Sequence, residues 1–64
     1  MLEVRYNVQT KDILGWCGDE NQFGLLDKGR ADEAIAILDV PFPDRLPQAY
    51  LFDEVTQTLV DNPS

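Results

Sequence analysis

Histidine is absent from the sequence, and with it the side chain whose charge ordinarily changes near neutral pH. Its absence excludes Ser-His-Asp and Cys-His catalysis, as well as zinc sites that use imidazole ligands. Serine occurs only as the last residue, Ser64, where nothing would hold a nucleophile in place. We therefore predict that the protein is not an enzyme and has no catalytic residues.

Cysteine is almost as scarce, since Cys17 stands alone and cannot form an internal disulfide. The stretch Trp16-Cys17-Gly18 resembles the start of the thioredoxin active site, but Asp19 and Glu20 replace its proline and second cysteine. Neighbouring acids disfavour the thiolate that redox chemistry needs. We interpret Cys17 as a packing residue and predict no cofactor, with a thiol-redox role as a lesser alternative.

Basic residues are also few: five Lys and Arg stand against twelve Asp and Glu, which gives a net charge of −7. Binding to a phosphate backbone needs clustered bases, so we predict no nucleic-acid partner. Most of the excess of acid lies in residues 31–64, where Arg45 is the only base. This half could meet a basic partner, or it could simply keep a small protein in solution.

No apolar run is long enough to cross a membrane, the longest being residues 34–38. The first residues alternate in polarity and include the early acid Glu3, unlike a basic and then apolar secretion signal. We expect a cytoplasmic protein, or one in a particle assembled there, with no membrane partner. The acidic stretch 19–22 and Asp27 lack the ligand spacing of an EF-hand, so we also predict no metal site.

What the chain does contain is a repeated hairpin pattern. The even positions from Leu2 to Val8 are apolar, which predicts a half-buried strand, and a second apolar stretch follows at residues 13–17. Residues 6–14 and 52–60 share one arrangement: an aromatic, Asn or Asp, two variable residues, Thr, two more, and two aliphatics. The spacing predicts two hairpins that use the same turn.

The shared turn has a physical basis. Asn7 or Asp53 would accept hydrogen bonds from backbone N–H groups two and three residues later, and the following threonine would close the other side. The residue after that threonine often has left-handed backbone and is often glycine. Here it is Lys11 or Gln57, which predicts either a different closure or a strain of about 1 kcal/mol.

Four-residue loops would fix the register of both hairpins. The predicted pairs are Tyr6 with Ile13, Val4 with Gly15 and Leu2 with Cys17, then Phe52 with Leu59 and Leu51 with Val60. The opposite face of the first hairpin would carry the candidate partner-binding residues Trp16, Leu14, Arg5 and Glu3, because Trp and Arg are favoured at interface hot spots. A cation–π contact between Arg5 and Trp16 is part of this prediction. The alternative is that the central loop folds over Trp16 and makes it part of the core.

The middle of the chain is less regular. Residues 18–33 are polar with three glycines and predict a long loop, which Phe23, Leu25 and Leu26 would pin to the body. Residues 34–40 favour a strand, although Asp32 could cap one helical turn there. Because prolines follow at once, this strand should lie at a sheet edge.

These elements predict a single small domain spanning residues 1–64, in which folding buries only about 60% of the surface of the unfolded chain. Its fold class is mainly β: a small antiparallel sheet or open barrel of about five strands, built from two similar hairpins with a long central loop.

The Tyr-Asn-x-x-Thr and Phe-Asp-x-x-Thr turns, within residues 4–16 and 50–63, resemble hairpin segments of small phage and prophage tail-associated proteins. The resemblance implies a structural or assembly accessory of phage origin. Our first hypothesis is a non-enzymatic protein-interaction or structural module that binds a protein partner or itself. The alternative is an acidic decoy that occupies a basic, nucleic-acid-like surface of its partner.

Overall fold

Strand β1, Leu2–Asn7, is the central strand of the fold because both of its edges are paired. The structure is a computed structural model and describes residues 1–26 and 30–63. Beyond β1 the strands are β2 (Ile13–Cys17), β3 (Glu33–Leu38), β4 (Tyr50–Asp53) and β5 (Thr58–Asp61). One antiparallel sheet has the order β2-β1-β3, and β4 and β5 form a second.

The mainly β class, with about five strands, is confirmed. The strand predicted after residue 33 is β3, and it lies at an edge of its sheet as the following prolines indicated. Two 3-10 turns, Glu20–Gln22 and Pro47–Ala49, interrupt the connections. In residues 1–26 and 30–63 we find no helix with the length and hydropathy of a membrane span.

The core forms where one face of β1 meets the second sheet. Alternation along β1 turns Leu2, Val4 and Tyr6 to this face, as the even apolar positions predicted. Together with residues from β2, β3 and β4 they make up the buried apolar cluster of the described residues, which is Leu2, Val4, Tyr6, Ile13, Leu38 and Phe52. Burying each of these side chains contributes about 1.5–3 kcal/mol before the entropy cost of ordering the chain.

Both turns have the predicted Asx geometry. Asn7 Oδ1 accepts from the backbone N–H groups of Gln9 (2.8 Å) and Thr10 (2.9 Å). Asp53 Oδ1 accepts from the backbone N–H groups of the residues two and three positions later, at 2.9 and 3.4 Å. The shared sequence pattern therefore encodes a shared local structure.

The residues that replace glycine have left-handed backbone, with φ of 68° at Lys11 and 57° at Gln57. Each sends its side chain back to the carbonyl three residues earlier: Lys11 Nζ donates to the Val8 carbonyl at 2.6 Å, and Gln57 Nε2 to the Glu54 carbonyl at 2.8 Å. A net hydrogen bond contributes about 0.5–1.5 kcal/mol, comparable with the strain. A long side chain with a donor at its tip thus makes the strained conformation tolerable.

The predicted register of the second hairpin is confirmed, with Phe52 opposite Leu59 and Leu51 opposite Val60. In the first hairpin only the pair of Tyr6 with Ile13 is confirmed.

The other two pairs predicted for the first hairpin are wrong. Val4 lies opposite Trp16 instead of Gly15, and Cys17 lies opposite Glu3 instead of Leu2. The register shifts by one residue between Arg5 and Tyr6, where Leu14 is the extra residue of a β-bulge. Since side chains alternate between faces, a shift of one residue moves Trp16 onto the core face.

The two sheets join at the first turn. The backbone N–H of Phe52 donates to the Lys11 carbonyl at 2.9 Å, and Asp12 forms an isolated antiparallel bridge with Leu51. Beneath this backbone contact the ring centroids of Tyr6 and Phe52 lie 4.3 Å apart. Lys11 Nζ also contacts Glu54 Oε1 at 2.6 Å, so the tips of both turns are connected.

The segment after β2 is held by a buried carboxylate. Glu3 is only 2% exposed, and its Oε2 accepts from the backbone N–H of Gly24 at 2.8 Å. Asp19 begins the 3-10 turn before it, accepting from the Asn21 N–H at 3.0 Å. The prediction that Leu25 helps to pin this loop is wrong because its side chain is exposed. Part of the predicted loop, residues 27–29, lies outside the described residues.

The turn geometry generates a matched pair of substitutions. Asp53→Ala removes the acceptor of two backbone N–H groups and should lower the free energy of unfolding by about 1 kcal/mol. Asp53→Asn keeps an equivalent oxygen, as Asn7 does in the first turn, and should stay within about 0.5 kcal/mol of wild type. Urea unfolding followed by circular dichroism measures both. Equal destabilisation by the two variants would contradict the assigned role of Asp53 Oδ1.

Candidate protein-interaction surfaces

The four side chains predicted to form one binding face do not share a face. Trp16 lies on the core side, opposite Val4, and is half-buried. Its ring meets Phe42 edge-on, with centroids 5.8 Å apart, and Tyr50 at 5.7 Å. The proline-containing segment 41–49 therefore covers Trp16, whereas the alternative prediction had assigned that role to the central loop.

Arg5 and Glu3 lie on the opposite face of the sheet. The carboxylate of Glu3 is buried beneath Gly24, and Arg5 Nε lies 3.6 Å from Glu33 Oε1. Because the bulge places Arg5 and Trp16 on different faces, the geometry that predicted their cation–π contact is wrong. Leu14, the extra residue of the bulge, is exposed. A single partner surface containing all four residues is thus ruled out by the register, although any one of them can still contribute to binding.

An open groove of about 700 Å³ lies beside Trp16 and is lined by that ring and by residues 42–49. On one side Arg45 extends over the Tyr50 ring, 4.8 Å from its centroid, and donates to Asp61 Oδ1 at 2.6 Å. The interaction of Arg45 with Tyr50 raises the pKa of its guanidinium above the usual high range, and the interaction with the Asp61 carboxylate adds a smaller increase. The only base of the acidic half is thus permanently charged and is already engaged within the chain.

The groove wall depends on a close contact between Gly18 and Phe42. A Cβ at Gly18 would clash with Phe42 Cδ2, so the ring is seated directly against the glycine backbone. Even so, Phe42 remains 62% exposed. The ring covers Trp16 from outside while presenting its own outer side to solvent.

The second candidate surface is the outer edge of β3, and the backbone directions there follow from its pairing with β1. Just beyond the paired strands, the N–H of Val8 donates to the Asp32 carbonyl at 2.8 Å. Backbone groups alternate in direction along a strand, so those of Ala34, Ala36 and Leu38 also point toward β1. The N–H and C=O groups of Ile35 and Ile37 consequently point outward. Among the described residues, no strand pairs with them.

The side chains of these same two residues are also accessible, with Ile35 36% and Ile37 50% exposed. Natural edge strands are usually protected by a lysine, a proline, a bulge or an inward-pointing charge. The stretch 34–38 contains no charged residue and no proline, and its pairing with β1 is regular. This edge has the properties of a strand that accepts another strand.

The acidic stretch of residues 19–22, with Asp27, was considered as a metal site in the sequence. In the parts of the chain that the structure describes, no three Cys, Asp or Glu side chains come together as a metal site would require. Asp27, which belonged to the candidate set, lies outside the described residues. The Cys17 thiol is half-buried and donates to the Asp19 carbonyl at 3.6 Å.

No protein-family model, curated protein or solved structure matches this chain. The resemblance of the two turns to small phage tail-associated proteins stays a prediction. The candidate surfaces therefore rest on geometry and chemistry alone.

Two glycines provide a matched test of the groove wall. Gly18→Ala should displace the Phe42 ring, destabilise the protein by about 1 kcal/mol and red-shift the emission of Trp16, the only tryptophan. Gly15→Ala is the control, since a Cβ there meets only Arg5 Nη2 at 4.0 Å, and it should leave emission and stability nearly unchanged. An unshifted emission maximum in Gly18→Ala would contradict the seating of Phe42.

Proposed function

We propose that this protein is a non-enzymatic protein-interaction module that takes up an extended segment of a partner protein along the outer edge of β3. The observation that carries the proposal is that Ile35 and Ile37 present both their outward backbone groups and their exposed side chains there. In strand addition, backbone hydrogen bonds supply affinity, and alternate side chains supply selectivity. One edge of one strand offers both.

The edge is also rigid, which favours binding. Six consecutive residue pairs connect β3 to β1, from Leu2 with Leu38 to Asn7 with Glu33. The side chain of Leu38 is buried in the core and anchors one end of the strand. At the other end the Asn7 side-chain amide donates to Asp32 Oδ2 at 3.3 Å. Little ordering entropy remains to be lost when a partner strand binds.

The composition supports a role without catalysis. The chain has no histidine, and its single cysteine donates to a backbone carbonyl. A domain of this size has little interior to spare for a catalytic cleft. An exposed edge strand, in contrast, needs no cleft.

The proposal is tested by two substitutions at one position. Ile37→Pro removes an outward N–H without removing a hydrogen bond to β1, so the fold should persist while strand addition is blocked. Ile37→Thr keeps the N–H and the β-branched shape but removes apolar surface. Tagged proteins are used for affinity capture from the native host, and recovery is quantified by mass spectrometry. We expect a specific partner to be lost about tenfold or more with Ile37→Pro and to be reduced less with Ile37→Thr.

Circular dichroism and thermal unfolding of both variants establish that each is folded. If folded Ile37→Pro recovers the same proteins in the same amounts as wild type, then the edge of β3 is not the interaction surface.

A further inference from the structure

We infer that the segment bound by β3 is an extended stretch with a basic residue at each end, about seven positions apart, and β-branched apolar residues between them. This inference rests on the proposed function and names the chemistry of the partner. It is carried by the charge distribution along the edge. An uncharged stretch, residues 34–38, follows the acids Asp32 and Glu33 and is followed by the acid Asp39.

The acids at the two ends differ in how far they are already compensated. Glu33 is balanced by Arg5, whose Nε lies 3.6 Å from its Oε1. Asp39 is exposed, and Asp32 is half-buried with its Oδ2 near the neutral amide of Asn7. Arg30 lies two residues before Asp32, but neither Asp32 nor Asp39 forms an ion pair with a base among the described residues. A carboxylate is therefore open to a partner's base at each end of the strand, on a protein whose net charge is −7. A partner with a base opposite each end would complement it.

The backbone directions fix how such a partner lines up. In an antiparallel pair, a residue whose N–H and C=O point toward the other strand lies opposite a residue whose N–H and C=O point back toward it. Partner residues opposite Ile35 and Ile37 then lie on the same face as these side chains, where β-branched residues pack well. Residues opposite Asp32 and Asp39 are seven positions apart. The fit defines a short strand with lysine or arginine at both ends.

One register of a second copy of this chain fits poorly at the same edge. The self-pairing that brings Ile35 opposite Ile37 of the second copy also brings Glu33 opposite Asp39, and symmetry repeats this acid pair at the other end. Like charges directly opposite each other destabilise a strand pair. The end charges thus act against this register of self-pairing while favouring a basic-ended segment.

The probe is a capped, fluorescein-labelled octapeptide, Lys-Thr-Val-Thr-Val-Thr-Thr-Lys, and its matched control carries glutamate at both ends. Fluorescence anisotropy with the full chain measures the two dissociation constants. We expect the lysine-ended peptide to bind about tenfold more tightly at low salt, and the difference to shrink at high salt because exposed charges are screened. N-methylation of the two valine amides, which face β3, should abolish binding. N-methylation of the threonine after each valine should not.

Variants of the protein locate the charge effect. Asp39→Lys should lower the preference for the lysine-ended peptide about tenfold, whereas Asp61→Asn, which removes a charge from β5 in the second sheet, should leave it unchanged. Arg30, the nearest base before Asp32, has the opposite sign, so Arg30→Gln should strengthen binding of the lysine-ended peptide.

The outcomes separate the two claims. Equal binding of both peptides, with the N-methylation pattern as expected, would overturn the charge inference and leave strand addition intact. Binding that ignores valine N-methylation, or no binding of either peptide, would overturn both. A dimer seen by sedimentation that dissociates in Ile37→Pro would identify a second copy as the occupant and overturn the inference about basic ends.

Discussion

The contact between the first turn and β4 fixes how the two sheets are arranged. The carbonyl of Lys11 accepts from the Phe52 N–H, and the rings of Tyr6 and Phe52 pack beneath it. This contact places the second sheet on the β2 side of the first sheet. The open edge is therefore on the β3 side. Without this contact the core would lose Phe52, the buried residue that the second sheet contributes to it.

The same junction explains why residues 41–49 cover Trp16. Since β3 ends on one side of the first sheet and β4 begins on the other, residues 41–49 must cross between them. The crossing segment is fixed at its end by Asn62, whose backbone N–H donates to the Ala49 carbonyl at 2.9 Å. On its way it passes over Trp16, with Phe42 seated on Gly18. Trp16, which the sequence suggested as a binding residue, therefore mainly packs against this crossing segment.

The sequence allowed prediction of those features that depend on local chemistry. The turns at Asn7 and Asp53 were predictable because an Asx side chain and its N–H donors lie within three residues. The edge position of β3 followed from the prolines after it. The bulge at Leu14 was not predictable, because residues 13–17 are apolar or small and would suit either register. The burial of Glu3 depends on an N–H that is 21 residues away in the chain, and no local pattern encodes such a contact. The candidate edge was predictable only in part. Ile35 and Ile37 were in the predicted strand, but only the register with β1 determines which backbone groups point outward.

The central claim is that the backbone of β3 alternates between groups bonded to β1 and groups open to solvent. Amide hydrogen exchange followed by NMR tests it residue by residue in the unbound protein. We predict that the amides of Ile35 and Ile37 exchange about a hundredfold or more faster than those of Ala34, Ala36 and Leu38. Equally slow exchange along the whole strand would mean that the outer edge is already paired, and it would contradict the account.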